Sequence, residues 1–432
     1  MKRFTMAFAA LGLAFFFGTN AASAQQGTPT FHKIVVTDKF WSEGADIADF
    51  NHDGKMDIVS GPFWYEGPDF KIRHEYCPAN HTFKTTNAAG EEVTVDGYEG
   101  GLGVNNAYSD DFLTFTFDIN GDGWPDIIII GFPGKETYWY ENPQNKEGHW
   151  SRHTIIDSTD DESPVLGDLL GNGKRVLMCC MSNYLGYAEP NWNHPEEKWT
   201  FHRVSPRKPE YQRFTHGLGF GDVNGDGRND LLLKDGWYEQ PASLEGDPEW
   251  KFHPYKFTSP EGSSQMFAYD VNGDGLADII TCLNPHGFGL AWYEQLPEKD
   301  ANGEIQFKQH LILNSDGTPN QYGVAFSQPH AVALADMDGD GLKDIVTGKR
   351  FWAHGKNGPD PQSNELAVLY WFKLVRGPNH TAEFIPHLID TNSGVGTEVM
   401  VGDVNGDHRP DIIVGNKKGT FVFLQEPPTN NP

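Results

Sequence analysis

The stretch Gly221-Asp222-Val223-Asn224-Gly225-Asp226-Gly227-Arg228-Asn229-Asp230-Leu231-Leu232-Leu233 decides the fold. Oxygen-bearing side chains stand at positions 1, 3, 5 and 9 of a loop whose position 6 is glycine, and a β-branched or leucine-rich run follows. Oxygens at positions 1, 3 and 5 converge on one calcium ion when the sixth residue permits a sharp turn, as in an EF-hand loop. An EF-hand closes with Glu at position 12 and is flanked by helices. Here the closing carboxylate is at position 9 and short strand-like runs flank the loop, so each copy predicts a strand–loop–strand hairpin.

The pattern recurs along the chain. Copies stand at Asp49-Asn51-Asp53-Asp57, Asp118-Asn120-Asp122-Asp126, Asp222-Asn224-Asp226-Asp230, Asp270-Asn272-Asp274-Asp278, Asp336-Asp338-Asp340-Asp344 and Asp403-Asn405-Asp407-Asp411. A worn copy at Asp168 has Leu170 and Val176 at ligand positions. Dividing the distance from Asp49 to Asp403 into six steps gives 59 residues per step, a repeat architecture. These 24 residues of the six intact copies are the expected ligands of about six calcium ions.

Each unit carries two further marks. An aromatic strand follows the loop's strand, as in Trp64-Tyr65-Glu66, Trp139-Tyr140-Glu141, Trp237-Tyr238-Glu239 and Trp292-Tyr293-Glu294. Then comes a strand with one histidine: His74, His153, His202, His253, His310 and His387. Strand A thus precedes the loop, B follows it, C is aromatic and D holds the histidine. The last unit lacks a D strand, and Phe31-His32-Lys33-Ile34-Val35-Val36 has the look of one out of place, with His32 as the seventh histidine. The expectation is an all-β, seven-bladed β-propeller of four-stranded blades, closed by an N-terminal strand.

The runs Gly221–Leu233 and Ala335–Gly348 resemble the FG-GAP/VCBS repeat family, the calcium-loop propellers of integrin α-subunit heads and many secreted bacterial proteins. The resemblance covers residues 31–425. It implies the fold and calcium; members serve adhesion, carbohydrate binding and sugar lysis alike, so function must come from the site.

Composition agrees. Aromatics make up 13% of the 432 residues, with 48 Gly and 28 Pro, which suits a turn-rich β protein. The net charge of −27 excludes general nucleic-acid binding and docking on anionic lipid, and favours bound cations. Met1-Lys2-Arg3, the apolar run Met6–Gly18 and Ala22-Ser23-Ala24 predict a signal peptide over 1–24 and an exported protein, periplasmic or extracellular, without membrane insertion. Residues 25–432 are then one propeller domain, expected as a monomer, with an insertion at about 77–111 as a lid or substrate wall. Cys179 and Cys180 should point to opposite faces of an apolar strand as buried residues, and four cysteines form no disulfide framework.

Function is sought where the repeat breaks. Six residues of strand span about 20 Å, so the starts of the A strands lie opposite the calcium loops. They carry Glu43, Phe112, Glu162, His216, Ser264, His330 and Thr397. The B–C turns open at that same end and add His286, Lys349, Arg350, Trp352, His354, Lys234, Lys417 and Lys418. This funnel is the expected site. His216 or His330 would abstract a proton, with His286 and His354 nearby. Lys349 or Arg350 would stabilise an enolate, and Glu43 and Glu162 would hold a second, non-calcium divalent metal or substrate hydroxyls. The reading is a carbohydrate lyase or dehydratase acting on a sugar or similar polyhydroxylated molecule. The alternative is a non-catalytic, adhesion-type propeller that binds glycan or protein.

Overall fold

The computed structural model describes residues 28–101 and 106–427. The segment 1–24, expected as a signal peptide, and Asn105 lie outside the described residues. Strands dominate. Among the described residues the helical content is one 3-10 turn, Pro378–His380.

The strands form a β-propeller arrangement of five separate four-stranded sheets and one eight-stranded sheet, plus a two-stranded hairpin. Unit 1 runs Asp46–Ala48, Asp57–Ser60, Phe63–Tyr65 and Arg73–Glu75, hydrogen-bonded in that order. Units 2, 3 and 6 repeat the order. Units 4 and 5 each keep the four-strand meander, but their inner strands, Leu218–Gly221 and Gln265–Tyr269, pair in parallel and fuse them into the eight-stranded sheet. A Cβ at Gly219 would collide with the Met266 carbonyl, so glycine is what lets these two inner strands meet.

The outer strand of unit 7 is Thr30–Thr37, paired antiparallel with Gly419–Glu426. Seven apolar clusters each join consecutive units, and one of them packs Trp41, Ile58 and Phe63 of unit 1 against Val404, Ile413 and Val422 of unit 7. B strands are buried on both faces and feed alternate residues to the two neighbours. Cys179 packs with unit 2 and Cys180 with unit 4, which is the opposite-face placement expected; all four cysteines are free.

Two repeated devices hold each unit. First, the D-strand histidine stacks on the C-strand aromatic, at centroid distances from 4.0 Å for Trp64–His74 to 4.8 Å for Tyr187–His202. In five of the six units it also meets the following glutamate, as His310 meets Glu294 at 2.7 Å. Unit 7 departs from the expectation. By register the places of the aromatic and the histidine are taken by Val422, paired with Ile413, and by Ile34, paired with Val422; Phe423 faces Lys33, and His32 pairs with Leu424 and is exposed. His32 lies two residues from that place, on the same face, and choosing the residue by type missed it.

Second, the aspartate at loop position 9 is a backbone clasp. Asp230 is fully buried and accepts from the amides of Val223, at 3.0 Å, and Gln240, at 2.9 Å. Asp57, Asp126, Asp278, Asp344 and Asp411 do the same, tying the loop to the end of strand C. The worn unit departs at both ends of the clasp. Val176 replaces the aspartate and packs in the core, and Pro190, which has no N–H, stands where Gln240 stands in unit 4.

Candidate functional site

The starts of the A strands converge as expected, and all seven residues there are buried. Three are structural. Phe112 packs in the core between units 2 and 3, the Thr397 amide binds the Glu43 carbonyl at 3.0 Å, and the Ser264 amide meets Cys282 Sγ at 3.0 Å. The other four, Glu43, Glu162, His216 and His330, are charged or titratable. Backbone bonds such as Glu43 N to Asp111 O at 2.8 Å and Glu162 N to Thr215 O at 2.9 Å lock this ring across units.

Glu162 is the hub. Its Oε2 lies 3.4 Å from His216 Nε2 and 3.3 Å from His330 Nε2. His286, from the B–C turn of unit 5, brings its Nε2 to 3.2 Å from that of His216. The four ligand atoms all lie within 4.8 Å of one another. Burial, followed by the neighbouring positive charge of Arg350, pushes His330 down to about 3. Burial and the flanking His330 and His216 push His286 down to about 2. Both imidazoles are thus neutral, the form that ligates metals. Burial alone would raise Glu162; His216 and His330 hold it well below the usual carboxylate range instead.

Glu43 stands apart from this group. It forms an ion pair with Arg350, whose other nitrogen is 3.5 Å from Glu162. The two glutamates expected to share a metal are therefore separated in role, one among imidazoles and one neutralising a guanidinium. Lys349 turns away: its Nζ binds Ser327 Oγ at 3.2 Å, and burial lowers it to about 8. Lys417 binds the Trp352 carbonyl at 2.9 Å and supports that loop. Lys234 and Lys418 reach the Pro260 carbonyl and Asn392.

His354 lies beside the cluster, its ring 4.7 Å from that of His286. Its Nδ1 and its backbone amide both bind Asp360, at 2.9 and 3.0 Å. Asp360 also lies 3.8 Å from His286 Nδ1. Asp360 was not foreseen. It has no counterpart in other units, and its signal is the length of unit 6's B–C connection, from Gly348 to Leu369.

These groups line a cavity of about 250 Å³ walled by Tyr108, Phe112, Phe132 and Phe214, with Glu162, His216, His286, Arg350 and His354 as its polar face. Tyr108 comes from the insertion, whose described part forms the hairpin Thr82–Thr86 with Glu92–Asp96 and then crosses to unit 6, where Tyr108 Oη donates to the Ala353 carbonyl at 3.0 Å. A larger groove of about 590 Å³ lies between units 5 and 6, beside the Trp292–His310 stack. Its acid, Glu383, is taken up by Gln321 at 2.6 Å and by Tyr322.

At the other end are the loops read as calcium sites. Position-1 aspartates accept backbone amides, as Asp222 does from Asp226 and Gly227 at 3.1 and 2.8 Å. Three carboxylates come within mutual reach at Asp336, Asp338 and Asp340, where Lys373 contacts Asp338 and lies 3.0 Å from Asp340. Arg228 and Arg409 pair with Asp226 and Asp407. The position-9 aspartates are already committed to two amides each.

Comparisons with known proteins support the repeat. The FG-GAP-like repeat family matches residues 118–178 and the FG-GAP repeat family residues 395–425. Integrin alpha pat-2 of Caenorhabditis elegans is 34% identical over 118 residues, 25% of this chain and 8% of that protein. Among solved structures, the rhamnogalacturonan lyase YesW is 12% identical at a TM-score of 0.40, over 91% of this chain and 75% of that one. An Agrocybe aegerita lectin specific for non-reducing terminal N-acetylglucosamine is 18% identical at a TM-score of 0.32, over 93% and 81%. Among the described residues no helix is long and apolar enough to cross a membrane.

Proposed function

We propose that the chain is an exported, calcium-stabilised, seven-bladed propeller, counting the eight-stranded sheet as two blades, and that it acts on a carbohydrate at the mouth of its channel. One observation carries the reading: the only cavity described that has a cluster of imidazoles and carboxylates on one side and aromatic rings on the other is that of Glu162, His216, His286, Arg350 and His354. Aromatic faces suit the C–H faces of a sugar ring, and convergent polar groups fix its orientation. Acidic loop oxygens at positions 1, 3 and 5 suit calcium, which prefers oxygen ligands.

The reaction class that fits is elimination. His354, with Nδ1 held by Asp360, takes a proton from the carbon next to a carbonyl or carboxylate. Arg350, which lines the cavity, offers its positive charge to the developing oxyanion. The electron pair forms the C=C bond as the β-oxygen leaves, taking up the proton that His354 removed from carbon, so nothing is oxidised. His330, fully buried, is outside the cavity lining and takes no proton from substrate.

The test is product analysis by NMR on keto-sugars and uronic-acid glycosides. An unsaturated product is expected, with His354→Ala losing 10²- to 10⁴-fold in rate and Lys234→Ala, half-buried and outside the cavity lining, unchanged. Sugar binding with no product would leave the binding-only propeller as the account.

A further inference from the structure

The four groups at the cavity floor have the geometry of a coordination shell. A tetrahedral ion with ligands at 2.0–2.1 Å places neighbouring ligand atoms about 3.3 Å apart. Three of the six separations match this, at 3.4, 3.3 and 3.2 Å for Glu162–His216, Glu162–His330 and His216–His286, and all six are within 4.8 Å. The two imidazole nitrogens at 3.2 Å can share only one proton between them, leaving the carboxylate and His330 aside; a cation at the centre would engage all four groups at once.

A second observation points the same way. His330 is 0% exposed, yet neither of its ring nitrogens has a hydrogen-bond partner, its Nε2 being near Glu162 but off the hydrogen-bonding line. A buried polar group left so requires an explanation, and a metal on Nε2 supplies one. An outer-shell carboxylate is at hand. Asp360 lies 3.8 Å from His286 Nδ1, beyond hydrogen-bond reach, on the side away from the cluster, where a carboxylate stands behind a metal-bound histidine. Charge agrees: Arg350 and Glu43 cancel, and Glu162 remains as a buried anion.

We propose that Glu162, His216, His286 and His330 hold one divalent first-row transition ion, zinc by preference, at the floor of the channel-mouth cavity. Three nitrogens and one carboxylate oxygen suit that class and not calcium. With Glu162, His216 and His286 lining the cavity and His330 beneath it, the ion would face any bound molecule and act as a Lewis acid toward its oxygen. The inference concerns the site assigned to the sugar but stands on ligand geometry alone.

The test is metal content of the full chain. After a chelator has stripped all metal and been removed, dialysis with zinc in the presence of excess calcium to fill the loops is expected to give one zinc per chain by mass spectrometry. Replacement by Co(II) should give the visible bands of a tetrahedral site. Glu162→Gln and His286→Gln should each lower zinc affinity at least tenfold, and Asp360→Asn by 10- to 100-fold. Should His330→Gln fail to fold, these three variants still decide the matter. Folded wild type that takes up no zinc, or variants that bind like wild type, would overturn the site. Sugar turnover by zinc-free protein would also overturn a metal role here while leaving the sugar reading intact. Zinc without any sugar response would do the reverse.

Discussion

Replacing Asp230 by valine tests whether the repeated spacing of these loops serves the backbone as well as an ion. The carboxylate, fully buried, accepts two amides, Val223 at 3.0 Å and Gln240 at 2.9 Å. Hydrogen bonds to a charged group contribute about 1.5–3 kcal/mol each, so losing both costs about 3–6 kcal/mol. Two offsets apply. Burial pushes Asp230 up to about 7, so its charged form is itself penalised near neutrality, and a buried valine gains about 1.5–3 kcal/mol from the apolar surroundings. The net expectation for Asp230→Val is a loss of about 1–4 kcal/mol, read as a shift in urea midpoint with chelator present so that ion binding does not contribute. Unit 3 provides the mirror test. Val176→Asp places a carboxylate opposite Pro190, which has no amide to offer, and should destabilise by several kcal/mol despite restoring the motif. If Asp230→Val were silent and Val176→Asp stabilising without calcium, the clasp would be refuted.

Three further outcomes are expected. A calcium chelator should lower the melting temperature and added calcium restore it, with Asp222→Ala costing more than Asp168→Ala, whose loop lacks ligands at two positions; an unchanged melting temperature after verified calcium removal would contradict this. Deleting residues 25–36 removes the strand paired with Gly419–Glu426 and should give insoluble or oligomeric material by size-exclusion chromatography, since an exposed edge pairs with other chains; a normal monomer would refute the closure. Asp161, buried and bonded to the Cys180 amide, is pushed up by burial to about 7. Its folded value lies above the unfolded one, so the stability it contributes is full below about pH 4 and is lost as pH rises to 7, by roughly 4 kcal/mol at most. Asp161→Asn should flatten stability against pH over that window; an unaltered slope would discount it.

Repetition governed what could be read from sequence. The loops, the B-strand burial and the Trp–His pairs recur, so one unit explains the others. The closing strand was legible because a missing D strand at one end matched a spare one at the other. Register was not legible: in the closing strand Ile34 holds the histidine's place, two residues from His32, and residue type favoured the wrong one. Fusion of units 4 and 5 depends on close approach at two glycines of one short strand, Gly219 and Gly221, among 48. At the site, Glu162, His216, His286, Arg350 and His354 stood out because each breaks the repeat. Their partners did not. Asp360 sits in a connection with no counterpart, and Tyr108 belongs to an insertion that crosses to unit 6, so neither had a pattern to break.

The most direct measurement is a crystal structure of the protein with a captured sugar, a substrate or inert analogue found in the NMR screen. The account predicts density at the channel mouth, with the ring against Phe132 or Phe214 and oxygens toward Arg350, His354 and the Glu162 cluster. Sugar bound instead in the groove between units 5 and 6, or on the outer rim, with the channel mouth empty, would contradict it.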